Sequence, residues 1–468
     1  MDQKIPLRFY FYAISFIPAC ILPIFLTAAH LPIVGSTYGD AYTHFELLGF
    51  SGSVWLILIA WHDFTKRSGK TAEKLTVIIP FVLTGLLFLM LFVEYSAKSP
   101  DYCNYEQGAK DMLEGINPYL PRRYIYPPFL GQLMAVAFLI LRYAGVAIKP
   151  EVTETTIWNF VFYFYQCIQF FLIVLAFWLC YRIVRLFCKD RFYSVLLVTT
   201  LLVFNNPLIR SIRHNQINIL VLDLLMLTML FAAKRPWLSG ALNSIACHIK
   251  LYPFILFLPW IIQKRLRPII ATLFTFCVIA AIQLGTKNGI QYWLDFVAFF
   301  QKFPRGNYFR DNSLHSVVYN FLHFLTFPLH IPDEKLLLVT QIYCLVIGFA
   351  FIILFYFRWH RIASEHLLSE TDNVEKNMIP LLESLPLILL ISPLVWEHHF
   401  VLLIPYSLWL LTRKNVQQNG LAFFGAFLVF AIPTFDLFPF SFNRIAGLIM
   451  MLWSSFNGKI NSNDARTA

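Results

Sequence analysis

Residues 99–128, SPDYCNYEQGAKDMLEGINPYLPRRYIYPP, gather Asp101, Glu106, Asp111 and Glu114 beside Arg122 and Arg123 in a polar, tyrosine-rich stretch. Other polar groups stand out against apolar surroundings: His214-Asn215-Gln216, RGNYFRDNSLHS at 305–316, His248 and Lys250, and SPLVWEHH at 392–399. A carboxylate can take a proton from a hydroxyl nucleophile, and ammonium or imidazolium groups can neutralise a departing anion. Acid on one side with Lys, Arg and His on the other suits a substrate that is anionic in part and gives up a proton elsewhere. A phosphate leaving group and a hydroxyl nucleophile fit that pattern. On this chemistry Asp101 is the general base, and Lys250 with the His398-His399 pair neutralises charge growing on the phosphate.

The elements that must hold these groups are membrane helices. The chain is 58% hydrophobic and 13% charged, against roughly 25% charged for a soluble globular chain. Apolar runs of about 20 residues recur from end to end, each long enough to cross the hydrocarbon of a bilayer. The fold expected is all-α and polytopic, with about twelve transmembrane helices plus re-entrant pieces. The formal charge of +11 could suggest nucleic acid, but the basic residues sit in short clusters between spans. These are Lys4 and Arg8; Lys66, Arg67, Lys70 and Lys74; Arg182, Arg185, Lys189 and Arg191; Lys234 and Arg235; Lys264, Arg265 and Arg267; Arg358 and Arg361; and Arg413 and Lys414. Such clusters mark cytoplasmic loops, so the charge reports topology and no nucleic-acid partner is expected. The eight cysteines lie mostly in apolar spans and give neither a disulfide framework nor a zinc spacing. No cofactor is implied, and His44 or His315 as metal ligands lack clustered carboxylates at helical spacing.

With the basic clusters inside, spans near 8–29, 47–64 and 75–94 put the 99–128 segment on the non-cytoplasmic face. Gly115 and Asn117-Pro118 break any helix there, and Pro127-Pro128 opens the next apolar run. Two full crossings at 129–146 and 157–181 would leave the Arg182–Arg191 cluster outside, so 129–146 is expected to dip in and return. Residues 192–206 and 217–233 form a hairpin whose tip, 205–216, faces outward. Between two basic clusters, 237–262 reads as two half-helices meeting at Lys250, just before Pro253. Broken backbone at membrane depth requires cover by protein or a watery cavity. Further spans follow near 268–284, 335–357, 379–396, 399–412, 420–436 and 440–456. The regions expected are an N-terminal hairpin at 1–74, a catalytic module at 75–330 with its outer loop at 95–128, and completing helices at 331–468.

Each site residue has a plainer reading. Asp101 suits an N-cap, and Asp111 and Glu114 suit a solvated helix face. Lys250 could snorkel to a headgroup, Arg122 and Arg123 could bind lipid, and one of the two histidines would be structural. Asp40, next to His44, is the rival base. A transporter or lipid flippase also uses broken helices and buried charges, but its inverted halves are missing here: the polar elements crowd on one face.

In order along the chain, Asp101, Tyr102, Tyr105, Gly108-Ala109, Gly115, Asn117-Pro118-Tyr119 and Tyr124-Ile125-Tyr126-Pro127-Pro128 resemble the opening motif of glycosyltransferase family 87. Asn215-Gln216-Ile217-Asn218, the helix from Gly240 to Lys250 with Pro253, Asn312-Ser313-Leu314, and Ser392 to His399 are similar to its later elements, so the resemblance covers roughly 95–415. It implies a GT-C-like fold and an inverting hexosyltransferase that uses a polyprenyl-phosphate sugar, usually mannose, at the outer face. It also implies a lipid or glycan acceptor and contact with membrane lipids. Carried over by motif, Asp101 is the base, Lys250, His398 and His399 meet the donor phosphate, and Tyr105, Asn117, Tyr119, Tyr126, Asn215, Gln216 and Asn312 bind substrate. A lipid-linked oligosaccharide ligase or polymerase would use a similar scaffold with a diphosphate leaving group. The expected location is a bacterial cytoplasmic membrane. Two departures stand out: Asn215 where the family tip often has Gly before Gln, and the first apolar hairpin, 8–64, as an added element ahead of the matched region.

Overall fold

In a computed structural model, the structure describes residues 70–120, 124–148, 153–301, 311–329, 331–367, 374–413, 416–432 and 438–457. The spans expected at 8–29 and 47–64, Asp40, His44, Arg122, Arg123 and residues 305–310 lie outside them. The described residues are helical, with no strand among them. In chain order the helices are α1 (Lys70–Glu94), α2 (Pro100–Glu114), α3 (Pro128–Ile148), α4 (Glu154–Phe187), α5 (Arg191–Val203), α6 (Asn206–Arg213), α7 (Asn218–Phe231) and α8 (Pro236–Ile249). After a 3-10 helix at Tyr252–Leu256 come α9 (Phe257–Ile262), α10 (Leu266–Leu284), α11 (Gly289–Gln301), α12 (Leu314–Thr326), α13 (Asp333–Leu367) and α14 (Val374–Ile391). A further 3-10 helix, Glu397–Leu403, precedes α15 (Ile404–Leu411), α16 (Val416–Phe430) and α17 (Asn443–Asn457).

Among the described residues four helices are long and apolar enough to cross a membrane, α3, α4, α10 and α13, or five if the bent pair α5–α6 counts as one span. Two of the twelve crossings expected lie outside the described residues, and several others are built from shorter pieces. The 192–233 hairpin is α5, a 55° bend into α6, and α7 of 14 residues. The 399–412 run is a 3-10 helix followed by eight α-helical residues.

The chain forms two units, 89–176 with 211–304, and 1–88 with 177–210 and 305–468. In the first, the dip expected within 129–146 is not formed: α3 is one unbroken helix. It runs antiparallel to the first turns of α4, with Phe138 stacked on Trp158 at 4.4 Å and Arg142 facing Glu154 at 3.6 Å. The end of α1 meets α4 further along, Phe92 against Phe170 and Gln166 Nε2 donating to Tyr95 O. The N-terminal part of α4 therefore lies beyond the end of α1. With 34 residues α4 is about 51 Å long, so Arg182 and Arg185 lie near its far end without α3 having to double back.

At 237–262 the break does fall at Lys250, whose backbone is extended (φ −146°, ψ 136°) between α8 and the 3-10 helix. The 14 residues of α8 span only about 21 Å, too short for a full crossing. The return is explicit: Arg265 Nη1 donates to Ala232 O at 3.2 Å, which brings the two flanking basic clusters together. After it, α10 runs parallel to α8, Gly240 against Pro268 and Ala271, and His248 stacked on Phe276 at 4.1 Å. A Cβ on Gly240 would lie 2.3 Å from the Pro268 carbonyl oxygen. Gly240→Val is expected to cost about 1–3 kcal/mol, as overpacking does, read as a lowered melting temperature in detergent.

In the second unit α13 carries its apolar side chains outward, Leu338, Leu345 and Phe349 being exposed. At its far end the half-buried Arg358 and the buried Trp359 donate through Nε and Nε1 to Glu383 of α14 at 2.7 and 3.0 Å; Ser455 of α17 donates to the same carboxylate at 2.7 Å. A buried charge satisfied on this scale fixes three helices to one another.

Candidate active site

The segment that reads as a polar loop is largely α2. Ser99 caps it, its Oγ accepting from Tyr102 N at 3.1 Å, with Pro100 in the first turn where a missing N–H costs nothing. Asp101 is thus not the cap; it sits in the first turn. The helix stops at Gly115, in the left-handed region at φ 78°, as the sequence leads one to expect. Tyr102, Tyr105, Ala109 and Met112 form its buried face, while Glu114 is exposed.

Two motif positions have structural explanations. A Cβ on Gly108 would meet the Tyr124 ring at 2.5 Å. Tyr124 in turn caps the start of α3, its hydroxyl accepting from Gly131 N at 2.8 Å and donating to Pro127 O at 3.0 Å. Asn117 and Tyr119 are tied internally: Asn117 Oδ1 accepts from Tyr119 N at 2.8 Å, and Tyr119 donates to Tyr126 O at 3.0 Å. These bonds bring the chain round so that the Tyr126 side chain reaches Tyr105.

Asp101 meets the tip between α6 and α7. Gln216 Nε2 donates to Asp101 Oδ2, and His214 Nδ1 lies 3.9 Å from the same oxygen. The Asp101 side chain keeps 36% of its surface exposed. Gln216 Oε1 accepts from Tyr105 at 3.0 Å and from Tyr126 at 3.3 Å, and the two phenols are 3.1 Å apart. Burial holds both phenols well above the usual tyrosine range, so they stay protonated donors.

The tip is rigid because of Asn215, whose φ is +49°. Glycine adopts that conformation freely, and Asn is among the next most tolerated residues, so the departure from the family pattern keeps the backbone. The side chain adds ties that Gly lacks. Its Oδ1 accepts from Ser99 N at 2.9 Å and its Nδ2 donates to Ile212 O at 3.3 Å; the tip backbone is held as well, Ser99 Oγ donating to His214 O and Tyr165 to Asn215 O, both at 2.6 Å. Asn215→Ala is expected to cost about 1–3 kcal/mol from left-handed strain and lost hydrogen bonds. Asn215→Gly, which loses only the side-chain bonds, should melt between wild type and Ala.

Lys250 belongs to the same unit. It is buried, donates to Asn218 Oδ1 at 2.6 Å, and lies over the rings of Tyr126 at 5.3 Å and Tyr252 at 5.8 Å. Its ammonium is held within the protein and does not snorkel. The structure therefore brings together Asp101, Tyr105, Tyr126, Gln216 and Lys250, and adds Asn218, the last residue of the Asn215–Asn218 motif, and Tyr252, between Lys250 and Pro253.

Asn312, His398 and His399 belong to the other unit. There the buried Asp311 joins two motifs: its Oδ1 accepts from Ser313 N and Val395 N, both at 2.9 Å, and Asn312 N donates to Val395 O at 2.7 Å. Burial pushes the Asp311 carboxyl up, and its hydrogen bonds with Val395 and Ser313 hold it back. The Asn312 amide is fully buried and has no hydrogen-bond partner among the described residues. His399 Nδ1 accepts from Trp396 N at 2.9 Å, which in the neutral ring leaves the proton on Nε2. Glu397 is paired with Arg210 at 3.3 Å and with the fully buried Arg444. Asp311 and Arg210 lie inside the polar 305–316 and 205–216 segments without a motif of their own, and Arg444 is a charge in an apolar C-terminal run, the kind of residue that marks a functional or structural site.

The profile of glycosyltransferase family 87 matches residues 124–393, more than half of the chain. The chain belongs to glycosyltransferase family 87. Membership makes it a glycosyltransferase, and its long apolar helices make it a membrane protein. The family match contains Tyr126, Gln216, Lys250 and Asn312, and it stops short of Asp101, His398 and His399 on either side. No curated protein matches the chain.

Proposed function

We propose that this family 87 enzyme transfers a monosaccharide, mannose in the family's usual pattern, from a polyprenyl-phosphate sugar to a lipid or glycan acceptor. The reading puts the reaction at the outer face of a bacterial cytoplasmic membrane. It takes about twelve crossings in all, with 75–330 as the catalytic module, 331–468 completing it and 1–74 as an added hairpin. The observation that carries the proposal is a partly exposed carboxylate, Asp101, in the same unit as a buried lysine, Lys250, that lies over the Tyr126 ring beside it.

The step is a single displacement. The acceptor hydroxyl oxygen bonds to the sugar's anomeric carbon as its proton passes to Asp101, and the bond from that carbon to the phosphate oxygen breaks with inversion. Lys250 neutralises the phosphate as it gains charge, and His398 and His399 carry the same role by motif, His399 as an Nε2–H donor. Asn312 is a proposed substrate contact, supported by its buried amide without a partner.

The test is donor class. Purified protein is offered radiolabelled polyprenyl-phosphate mannose, a diphosphate-linked oligosaccharide, or a nucleotide sugar, with membrane lipid extract as acceptor. Transfer from the first alone is expected. Transfer from the diphosphate donor would make it a ligase or polymerase, and sugar-lipid movement across vesicles without bond cleavage would make it a transporter.

A further inference from the structure

We propose that Gln216 is a positioning residue for Asp101, its amide fixed by Tyr105 and Tyr126 so that it holds one carboxylate oxygen and leaves the other to accept the proton. The inference rests on the reading of Asp101 as the base. By resemblance Gln216, Tyr105 and Tyr126 would touch substrate; in the structure their polar atoms bind one another and Asp101.

The amide has one possible orientation. An ionised carboxylate only accepts hydrogen bonds, so the Gln216 atom facing Asp101 is Nε2, and Oε1 faces the phenols. Both phenols are protonated donors in a buried setting: Tyr105 is fully buried, Tyr126 is 7% exposed and Gln216 2%. The rings hold each other edge-on, centroids 5.0 Å apart at 80°. The backbone is fixed too, since Gln216 N donates to Ser211 O at 2.8 Å and Asn215 N to Ile212 O at 2.9 Å. A flip of the amide would set a carbonyl against the carboxylate and take Oε1, their common acceptor, away from the two phenols.

The contacts described for Asp101 all reach Oδ2. Oδ1 is therefore the oxygen that faces the nucleophile. A neutral donor on Oδ2 fixes that choice without protonating the base, which a second carboxylic acid could not do.

The experiment is the pH dependence of kcat/KM for Gln216→Glu, with polyprenyl-phosphate mannose and membrane lipid extract as substrates. Two carboxylates at this distance share a proton, and the shared proton raises the apparent pKa of the pair. The acid limb is expected to move up by at least about one pH unit, with KM for the donor little changed. Tyr105→Phe, which keeps the fold's apolar contacts and loses one donor to Oε1, should lower kcat about tenfold with KM unchanged. Infrared titration of the Asp101 carboxyl, taken as the difference from Asp101→Asn, should show the same upward shift in Gln216→Glu without turnover. An unshifted acid limb and carboxyl band, with a raised donor KM, would make Gln216 a substrate contact and overturn the proposal. If Asp101→Asn is itself fully active, the base reading fails instead, and the infrared shift alone then reports on Gln216.

Discussion

Asp101→Asn is expected to abolish transfer while donor binding persists. General-base catalysis contributes about 10²–10⁴-fold, and the loss should fall entirely on kcat. The substitution is close to isosteric, so the reason for so large an effect is specific. Gln216 Nε2 donates toward this side chain, so an amide there turns its carbonyl to Gln216. Its NH₂ then occupies the position from which Oδ1 would accept the proton, a donor where an acceptor is required. The fold should survive. Asp101 is not the helix cap and contributes only through its place in the first turn of α2, worth about 0.3–1 kcal/mol near a helix N-terminus. Single-turnover transfer and equilibrium donor binding, measured on one preparation, separate the two effects. Equal turnover by the mutant would move the base elsewhere, with Asp40 as the next candidate.

Lys250→Met is expected to lower kcat by about 10²–10³-fold, the scale of losing one charge stabiliser at a developing anion. Stability should change little. The lysine donates to the neutral Asn218, and a buried ammonium is costly to keep. Met retains the apolar contact with the Tyr126 and Tyr252 rings that flank the lysine. Lost catalysis with an unchanged or raised melting temperature therefore identifies a functional charge. A Lys250 that served only to anchor the fold would give the reverse: a lower melting temperature with turnover per folded molecule unchanged.

The parts of the site that depend on local chemistry were legible in the sequence. Gly115 and Asn117-Pro118 end α2, Lys250 and Pro253 break 236–262, and the flanking basic clusters come together through Arg265 and Ala232. Charge density hid α2 itself. Five charged residues between 101 and 114 read as loop, whereas Tyr102, Tyr105, Ala109 and Met112 repeat at helical spacing. Sequence arithmetic also suggested a dip at 129–146, because it counted α4 as one crossing; a helix of 34 residues can outrun its neighbour. The role of Gln216 was out of reach for a different reason. Its partner Asp101 is 115 positions away, and no periodicity relates them. The same holds for Glu397 with Arg444, 47 positions apart. Motif order suggested which residues matter, and only geometry distinguishes a residue that meets substrate from one that holds the residue that does.

The anomeric configuration of the product tests the central claim most directly. Purified enzyme would be given polyprenyl-phosphate mannose of defined anomeric configuration, and the new glycosidic bond read by NMR. Single displacement with Asp101 as base predicts the opposite configuration in the product, with one polyprenyl phosphate released per sugar transferred. A product of retained configuration would exclude a single inverting displacement and would contradict the account.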